Sequence, residues 1–307
     1  MPATPRISVV LATCNALRHL PGAIASVGPE AEIIVVDNCS TDGSWDYLQA
    51  IAEQDPRIRP ALTERPGMAA ARNTGLGLAS APLVTFLDPD DRWRTGFLAA
   101  HIGLHRAFPQ IGFSFSDHRR FALDGTELPS AFARCPGFQA RHAMRREGFV
   151  LEGDAQAQIY AEPLVAASTV VANAALLRAV GGFNEQLGRA EAWDLLLHLA
   201  ACAPVGCLPK PLVNHLVRPV DPEGEEGLAR RAARRRVAEA YADQAEALDP
   251  EARRLCRLGQ TTLDAEVAAL AGRRVQAAWL RLSAFAQDPA RVHMRAAVRE
   301  LAGRRTP

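Results

Sequence analysis

The sequence predicts an α/β fold: a mostly parallel sheet flanked by helices, with a C-terminal helical extension. Two observations carry this. Short apolar, β-favouring runs alternate with segments of helical periodicity through the N-terminal two thirds, the pattern of parallel strands joined by crossover helices. Three of these runs also end abruptly in polar clusters, and in such sheets ligands collect at the carboxyl ends of the strands.

In chain order, residues 7–12 form the first strand, which stops at Thr13-Cys14-Asn15. Leu17, Leu20, Ile24 and Val27 then recur at helical spacing until Gly28-Pro29 breaks the pattern. Residues 32–36 give the second strand, ending in Asp37-Asn38-Cys39-Ser40-Thr41-Asp42-Gly43-Ser44. A helix over about 45–53, a short strand near 58–61 and a helix over 68–79 follow. Residues 83–87 are the next buried strand, stopping at Asp88-Pro89-Asp90-Asp91, where Pro89 prevents further ladder pairing. Residues 111–117 read as a strand of alternating character with a hairpin turn at Asp124-Gly125. Residues 137–161 are polar, arginine-rich and without clear periodicity, and are expected to form a loop or lid. Strands at 168–171 and 211–214 and an apolar helix over 193–200 complete the first domain, placed at 1–220.

Residues 221–227 form a polar break into a helical domain at 221–307. A helix over 228–248 carries Arg230, Arg231, Arg234, Arg235 and Arg236 among Glu223, Glu225, Glu226, Glu239 and Asp243, a solvated face laced with ion pairs. Beyond residue 251, Leu255, Leu258, Leu263, Val267, Leu270, Val275, Trp279, Leu280 and Leu282 are the expected inward positions.

Composition narrows the function. The 307 residues are 48% hydrophobic with a net charge of +1, so no bulk electrostatic pull draws the whole chain to nucleic acid or to a membrane. Six cysteines without a C-x-x-C pair point to reduced thiols and a cytoplasmic location. No signal peptide pattern opens the sequence, and no run of about 18 apolar residues predicts a membrane span.

The polar clusters share one sheet edge and hence one crevice. Asp88, Asp90 and Asp91 crowd a single strand end, and Mg²⁺ or Mn²⁺ would relieve their repulsion; a solvated acidic turn with Asp91 capping the next helix is the equal alternative. Asp37 is placed to accept hydrogen bonds from a base or ribose, although an Asx-turn with Ser40 and Asp42 is the commoner use of such a residue. Arg72 has the geometry for a diphosphate, against the ordinary fate of a solvated helix arginine.

In order, Ile7-Ser8-Val9-Val10, Thr13-x-Asn15, Ile34-Val35-Val36-Asp37-Asn38-x-Ser40-Thr41-Asp42-Gly43-Ser44, Gly67, Ala71-Arg72-Asn73-x-Gly75 and Phe86-Leu87-Asp88-Pro89-Asp90-Asp91 resemble glycosyltransferase family 2. The likeness continues through Val180-Gly181-Gly182-Phe183-Asn184-Glu185 and Glu191-Ala192-Trp193-Asp194-Leu195, to about residue 218. It implies a Rossmann-like GT-A fold and inverting, metal-dependent transfer of a sugar from a nucleoside diphosphate sugar, UDP-linked by expectation, to an unknown acceptor hydroxyl. By resemblance, Thr13 and Asp37 contact the nucleoside, and Asn15, Asn38 and Gly67 belong to the same binding motifs. Arg72 lies near base and phosphates, Asp88 and Asp90 form the metal-binding D-x-D with Mn²⁺ or Mg²⁺, and His215 is a further metal or phosphate contact. A lone histidine is more often structural. The C-terminal helices resemble packing or homo-oligomerisation units.

One departure bears on catalysis. Family members carry Glu-Asp where this chain has Glu191-Ala192, and the missing aspartate is the usual general base. Glu191 is the favoured substitute and Asp194, three residues on along the helix, the second candidate. Loss of base catalysis, leaving a nucleotide-sugar-binding protein, is the third reading.

Overall fold

The computed structural model describes residues 6–218, 224–242, 250–287 and 291–301. Its elements are β1 (Ile7–Thr13), α1 (Leu20–Ala25), β2 (Ala31–Asp37), α2 (Ser44–Ala52), β3 (Ile58–Leu62), α3 (Met68–Leu78), β4 (Leu83–Phe86), β5 (Arg92–Trp93), α4 (Phe97–Ala107), β6 (Phe113–Phe121), β7 (Glu127–Leu128), α5 (Pro136–His142), β8 (Phe149–Val150), α6 (Ala155–Ala161), β9 (Val170–Asn173), α7 (Ala174–Ala179), α8 (Glu191–Cys202), β10 (Val205–Leu216), α9 (Glu225–Ala242), α10 (Pro250–Leu270), α11 (Arg274–Gln287) and α12 (Arg291–Leu301). Two compact units result. The first holds residues 6–131, 145–151 and 165–218; the second holds 132–144, 152–164 and the described residues from 224 on.

The first unit is built on a sheet of order β3-β2-β1-β4-β9-β6-β10-β5, with β7 on β6 and β8 on β10. β1, β2, β3 and β4 pair in parallel, as do β6 and β10, while β9 runs against both of its neighbours. Every residue of β1 and β2 is buried, as expected of strands covered on both faces. Val9, Leu11, Ile33 and Val35 pack with Leu20 and Ile24 of α1, Leu48 of α2 and Phe97 of α4. On the other face α3 presses so close to β1 that a Cβ at Gly75 would lie 2.3 Å from Val10 Cγ1.

Two expectations change here. Residues 137–161 are not a loop, because they hold most of α5 together with β8 and α6. Their stops and starts come from polar caps rather than from apolar periodicity. Asp154 accepts from Ala157 N at 2.8 Å at the head of α6, and the Glu162 carboxylate accepts from Gly137 N and Phe138 N at 3.0 and 2.7 Å at the head of α5. Helix α4 is an addition that the strand pattern did not reveal.

In the second unit Leu255, Leu258 and Leu263 are buried as expected, with Leu255 packed on α6 beside Ala157 and Ala161. Val275, Trp279 and Leu282 are not inward: α11 buries Ala277, Ala278 and Ala284 and leaves those three side chains exposed, with Leu280 partly buried. The expected extension of the arginine-rich helix to residue 248 and the polar break at 221–223 lie outside the described residues, as does the side chain of Leu270.

Candidate active site

In β1 and β2 Thr13 stands opposite Asp37, and Leu87 N donates to Val10 O at 3.0 Å just past β4. Thr13, Asp37 and Asp88 therefore lie along one carboxyl edge. Asp37 is almost fully buried and accepts hydrogen bonds from Ser40 N and Ser40 Oγ, so its carboxylate shapes the turn that follows β2. Asn15 is held in the left-handed region at φ 48°. Its Oδ1 accepts from Thr41 N at 2.7 Å and its N–H donates to Ser40 Oγ at 2.8 Å, stapling the loops after β1 and β2 together. Asn38 links the next loop, donating to Arg65 O at 2.7 Å and accepting from Gly67 N at 2.9 Å. Gly67, at φ 104°, takes a backbone conformation that side chains disfavour. These residues build the crevice wall. Thr13 has no exposed surface, and its hydroxyl has no hydrogen-bond partner among the described residues.

Arg72 is not a solvated helix arginine. Its guanidinium reaches Asp88 Oδ1 at 2.7 Å and Glu191 Oε1 at 2.6 Å, and lies 5.4 Å from the centre of the Phe183 ring. Burial opposes its charge, but the carboxylates of Asp88 and Glu191 outweigh burial and raise its pKa. The loop carrying Phe183 is fixed to α3 by Asn73, which accepts from Phe183 N at 2.8 Å and donates to Phe183 O at 2.9 Å. Gly182 permits that approach, since a Cβ there would meet Asn73 Oδ1 at 2.6 Å.

The remaining carboxylates have separate partners. Asp90 Oδ2 accepts from Arg218 Nε at 2.7 Å. Asp91 is fully buried, and accepts from His215 Nδ1 at 3.0 Å and from Leu216 N at 3.2 Å. Burial pushes the Asp91 pKa up. Burial would lower that of His215, but its hydrogen bond to Asp91 and the charges of Asp91, Asp88 and Asp90 raise it. Asp91 thus positions the histidine rather than standing at the crevice.

A hard divalent ion fits Asp88 and Asp90, each of which spends one oxygen on an arginine and keeps the other. Such ions commonly take one or two protein carboxylates and complete their shell with phosphate and water. Asp88, Asp90 and His215 do not converge into a protein-only cage, and no group of three His, Cys, Asp or Glu among the described residues does so. His215 keeps Nε2 for a ligand while Nδ1 is oriented by Asp91, the arrangement of a carboxylate-supported histidine.

The base candidates on α8 differ. Glu191 is buried, with Oε1 on Arg72 and Oε2 without a hydrogen-bond partner among the described residues. Asp194 is also buried, and burial raises its pKa, partly offset by His198, whose Nδ1 is 3.5 Å away. Ala192 lines a small recess whose other walls are Phe86, Ala167, Val170, Leu177, Phe183, Leu195, Leu196 and Leu199, all apolar.

Three contributors were not visible beforehand. Ser168 Oγ accepts from Asp88 N at 3.0 Å, and Arg92 donates to Pro89 O, Asp91 O and His19 O, holding the acidic turn against α1. His19 Nε2 also accepts from Arg18 Nε at 2.9 Å. The advance signals were the adjacency of Arg92 to the acidic cluster and the strand expected at 168–171, although Ser168 itself lies in a short 3-10 turn and the strand begins at Val170.

Residues 8–143 match the model of glycosyl transferase family 2. The segment is a family 2 glycosyltransferase domain. It contains Thr13, Asn15, Asp37, Asn38, Gly67, Arg72, Asp88 and Asp90, whereas Glu191, Asp194 and His215 lie beyond the matched end. TuaG of Bacillus subtilis (strain 168), named for teichuronic acid biosynthesis, is 37% identical over 129 residues, covering 40% of this chain and 51% of TuaG. The chain thus spans about half the length of that relative. The structure of TarS residues 1–349 from S. aureus with UDP-GlcNAc aligns at a TM-score of 0.56 and 14% identity, over 98% of this chain and 93% of that one. The mannosyltransferase PcManGT from Pyrobaculum calidifontis, with GDP-Man and Mn²⁺, aligns at 0.57 and 21%, over 93% and 74%. At these identities the likeness shows the fold, and the family 2 domain has the GT-A architecture expected of it. No helix among the described residues is long and apolar enough to cross a membrane.

Proposed function

We propose that this chain is a metal-dependent glycosyltransferase that moves a sugar from a nucleoside diphosphate sugar, UDP-linked, to an acceptor hydroxyl with inversion at the anomeric carbon. The observation that carries the reading is the placement of Asp37 and Asp88 along the carboxyl edge of β1, β2 and β4, with Asp90 two residues on, in a segment that matches family 2. The ligands in the TarS and PcManGT structures support a nucleotide-sugar donor, and the Mn²⁺ of PcManGT supports a divalent ion.

Asp37 and the loop stapled by Asn15 and Asn38 would hold the nucleoside. Asp88 and Asp90 would hold Mn²⁺ or Mg²⁺ through their remaining oxygens, and His215 Nε2 would be left to contact the diphosphate. When bound, the ion supplies charge stabilisation to the departing diphosphate. Arg72 acts through Asp88 and Glu191, keeping both carboxylates fixed. Glu191 Oε2 accepts the proton of the acceptor hydroxyl; the acceptor's oxygen bonds to the anomeric carbon as the bond from that carbon to the diphosphate oxygen breaks, releasing the nucleoside diphosphate. The apolar recess at Ala192 favours a second reading, a nucleotide-sugar-binding protein without turnover.

Calorimetry with UDP, GDP and dTDP, with and without Mn²⁺, tests the donor site. UDP binding that strengthens with Mn²⁺ and is lost in Asp90→Ala is expected, and failure of all three nucleotides to bind refutes the reading. Binding without release of sugar from UDP-sugars, with water or a panel of acceptors, selects the second reading.

A further inference from the structure

The second unit ends in two helices that are amphipathic in an inverted sense. α11 buries Ala277, Ala278 and Ala284 while Val275, Trp279 and Leu282 are 67%, 69% and 37% exposed. α12 buries Ala297 and exposes Met294, Val298 and Leu301. In both helices the exposed residues follow i, i+4, i+7 spacing and so form one stripe along one face. Single exposed apolar residues are ordinary, but a stripe repeated on two successive helices signals a surface that is covered in use.

Charge identifies the cover. Residues 271–307 carry eight arginines against Asp288 and Glu300, a net of +6 in a chain whose total is +1. Arg273 and Arg274, at the start of α11, are exposed. A second copy of the chain would set this charge against itself, whereas an anionic lipid surface complements both the arginines and the apolar stripes.

We propose that α11 and α12 lie on an anionic bilayer surface, with Val275, Trp279, Leu282, Met294, Val298 and Leu301 seated at the boundary of headgroups and acyl chains. Helices with an apolar face rich in Trp and Leu and with flanking arginines bind in this plane without spanning. The inference is independent of the transferase reading, since it uses none of the crevice residues.

Co-sedimentation of the full chain with phosphatidylglycerol/phosphatidylcholine vesicles tests it. Partitioning at least about tenfold above that on pure phosphatidylcholine is expected, falling with added salt as surface charge is screened. Tryptophan emission should be quenched by bromine-labelled acyl chains, with the quenching reduced in Trp279→Phe. The triple variant Val275→Ser, Trp279→Ser, Leu282→Ser should lose about tenfold or more of the binding. Equal partitioning on neutral and anionic vesicles overturns the proposal, and so does full binding by a folded triple variant. Absence of vesicle binding also overturns it, whether the chain instead self-associates through this face or binds RNA. If the triple variant fails to fold, the wild-type comparison of the two vesicle types still decides.

Discussion

Replacing Arg72 with methionine should be among the most damaging single changes in the first unit. The arginine side chain is 7% exposed and bridges Glu191, 8% exposed, to Asp88, 29% exposed. Removing the cation strands the Glu191 carboxylate in the interior, at a cost of about 3–5 kcal/mol; Asp88 regains water and adds less. The same physics predicts a rescue. Arg72→Met combined with Glu191→Leu removes the stranded charge and should bring stability back to within about 1–2 kcal/mol of wild type, because well-packed apolar groups often replace a buried ion pair at little loss. Asp88→Ala leaves the inner pair intact and should cost only about 1 kcal/mol. Urea unfolding of five proteins, wild type, Arg72→Met, Glu191→Leu, the double variant and Asp88→Ala, compared at equal m-value, measures all three quantities. A loss below about 1 kcal/mol in Arg72→Met, or a double variant no better than the sum of its singles, would refute the bridge as a buried, mutually dependent pair.

Acid should weaken the fold through His101, which burial pushes from its ordinary value down to about 3 and which shares the Ser114 hydroxyl with His105. The unfolded chain takes up that proton near pH 6.5 while the native one does not, so stability is flat above this value and declines as pH falls toward 3. Against His101→Gln, the wild type should lose about 2 kcal/mol more between pH 7.5 and 5, measured by denaturation at each pH, and identical slopes would contradict this. Two glycines of α3 should answer oppositely to alanine in thermal unfolding. Gly75→Ala drives a Cβ to 2.3 Å from Val10 and should destabilise by about 1–3 kcal/mol, whereas Gly77→Ala meets nothing within 4 Å and should stabilise by up to about 1 kcal/mol. Ala192→Asp restores the family's usual carboxylate and, if Glu191 is the working base, should change turnover of a UDP-sugar by less than about tenfold. A gain of about a hundredfold or more would instead assign the missing base to that position.

Periodicity and chain punctuation were enough to read the buried strands and the helices between them in the N-terminal third of the chain. The runs that became β1, β2 and β4 carry their own signal in length and apolar content, and the polar clusters that follow them mark the crevice edge because a parallel sheet presents all its carboxyl ends on one side. Helix α4 escaped that reading because a histidine, His101, occupies one of its fully buried positions, which dilutes the apolar stripe. Helix α5 escaped it because Glu162 caps its N-terminus from 24 and 25 positions away.

What only the tertiary structure decided is the set of partners. Arg72 and Glu191 are 119 positions apart, and Asp91 and His215 are 124 apart, so no spacing rule brings either pair together. The same limit holds for α11. A period of 3.6 residues fixes that Val275, Trp279 and Leu282 share a face, but it carries no direction, and the close packing of Ala277, Ala278 and Ala284 turned that face to solvent.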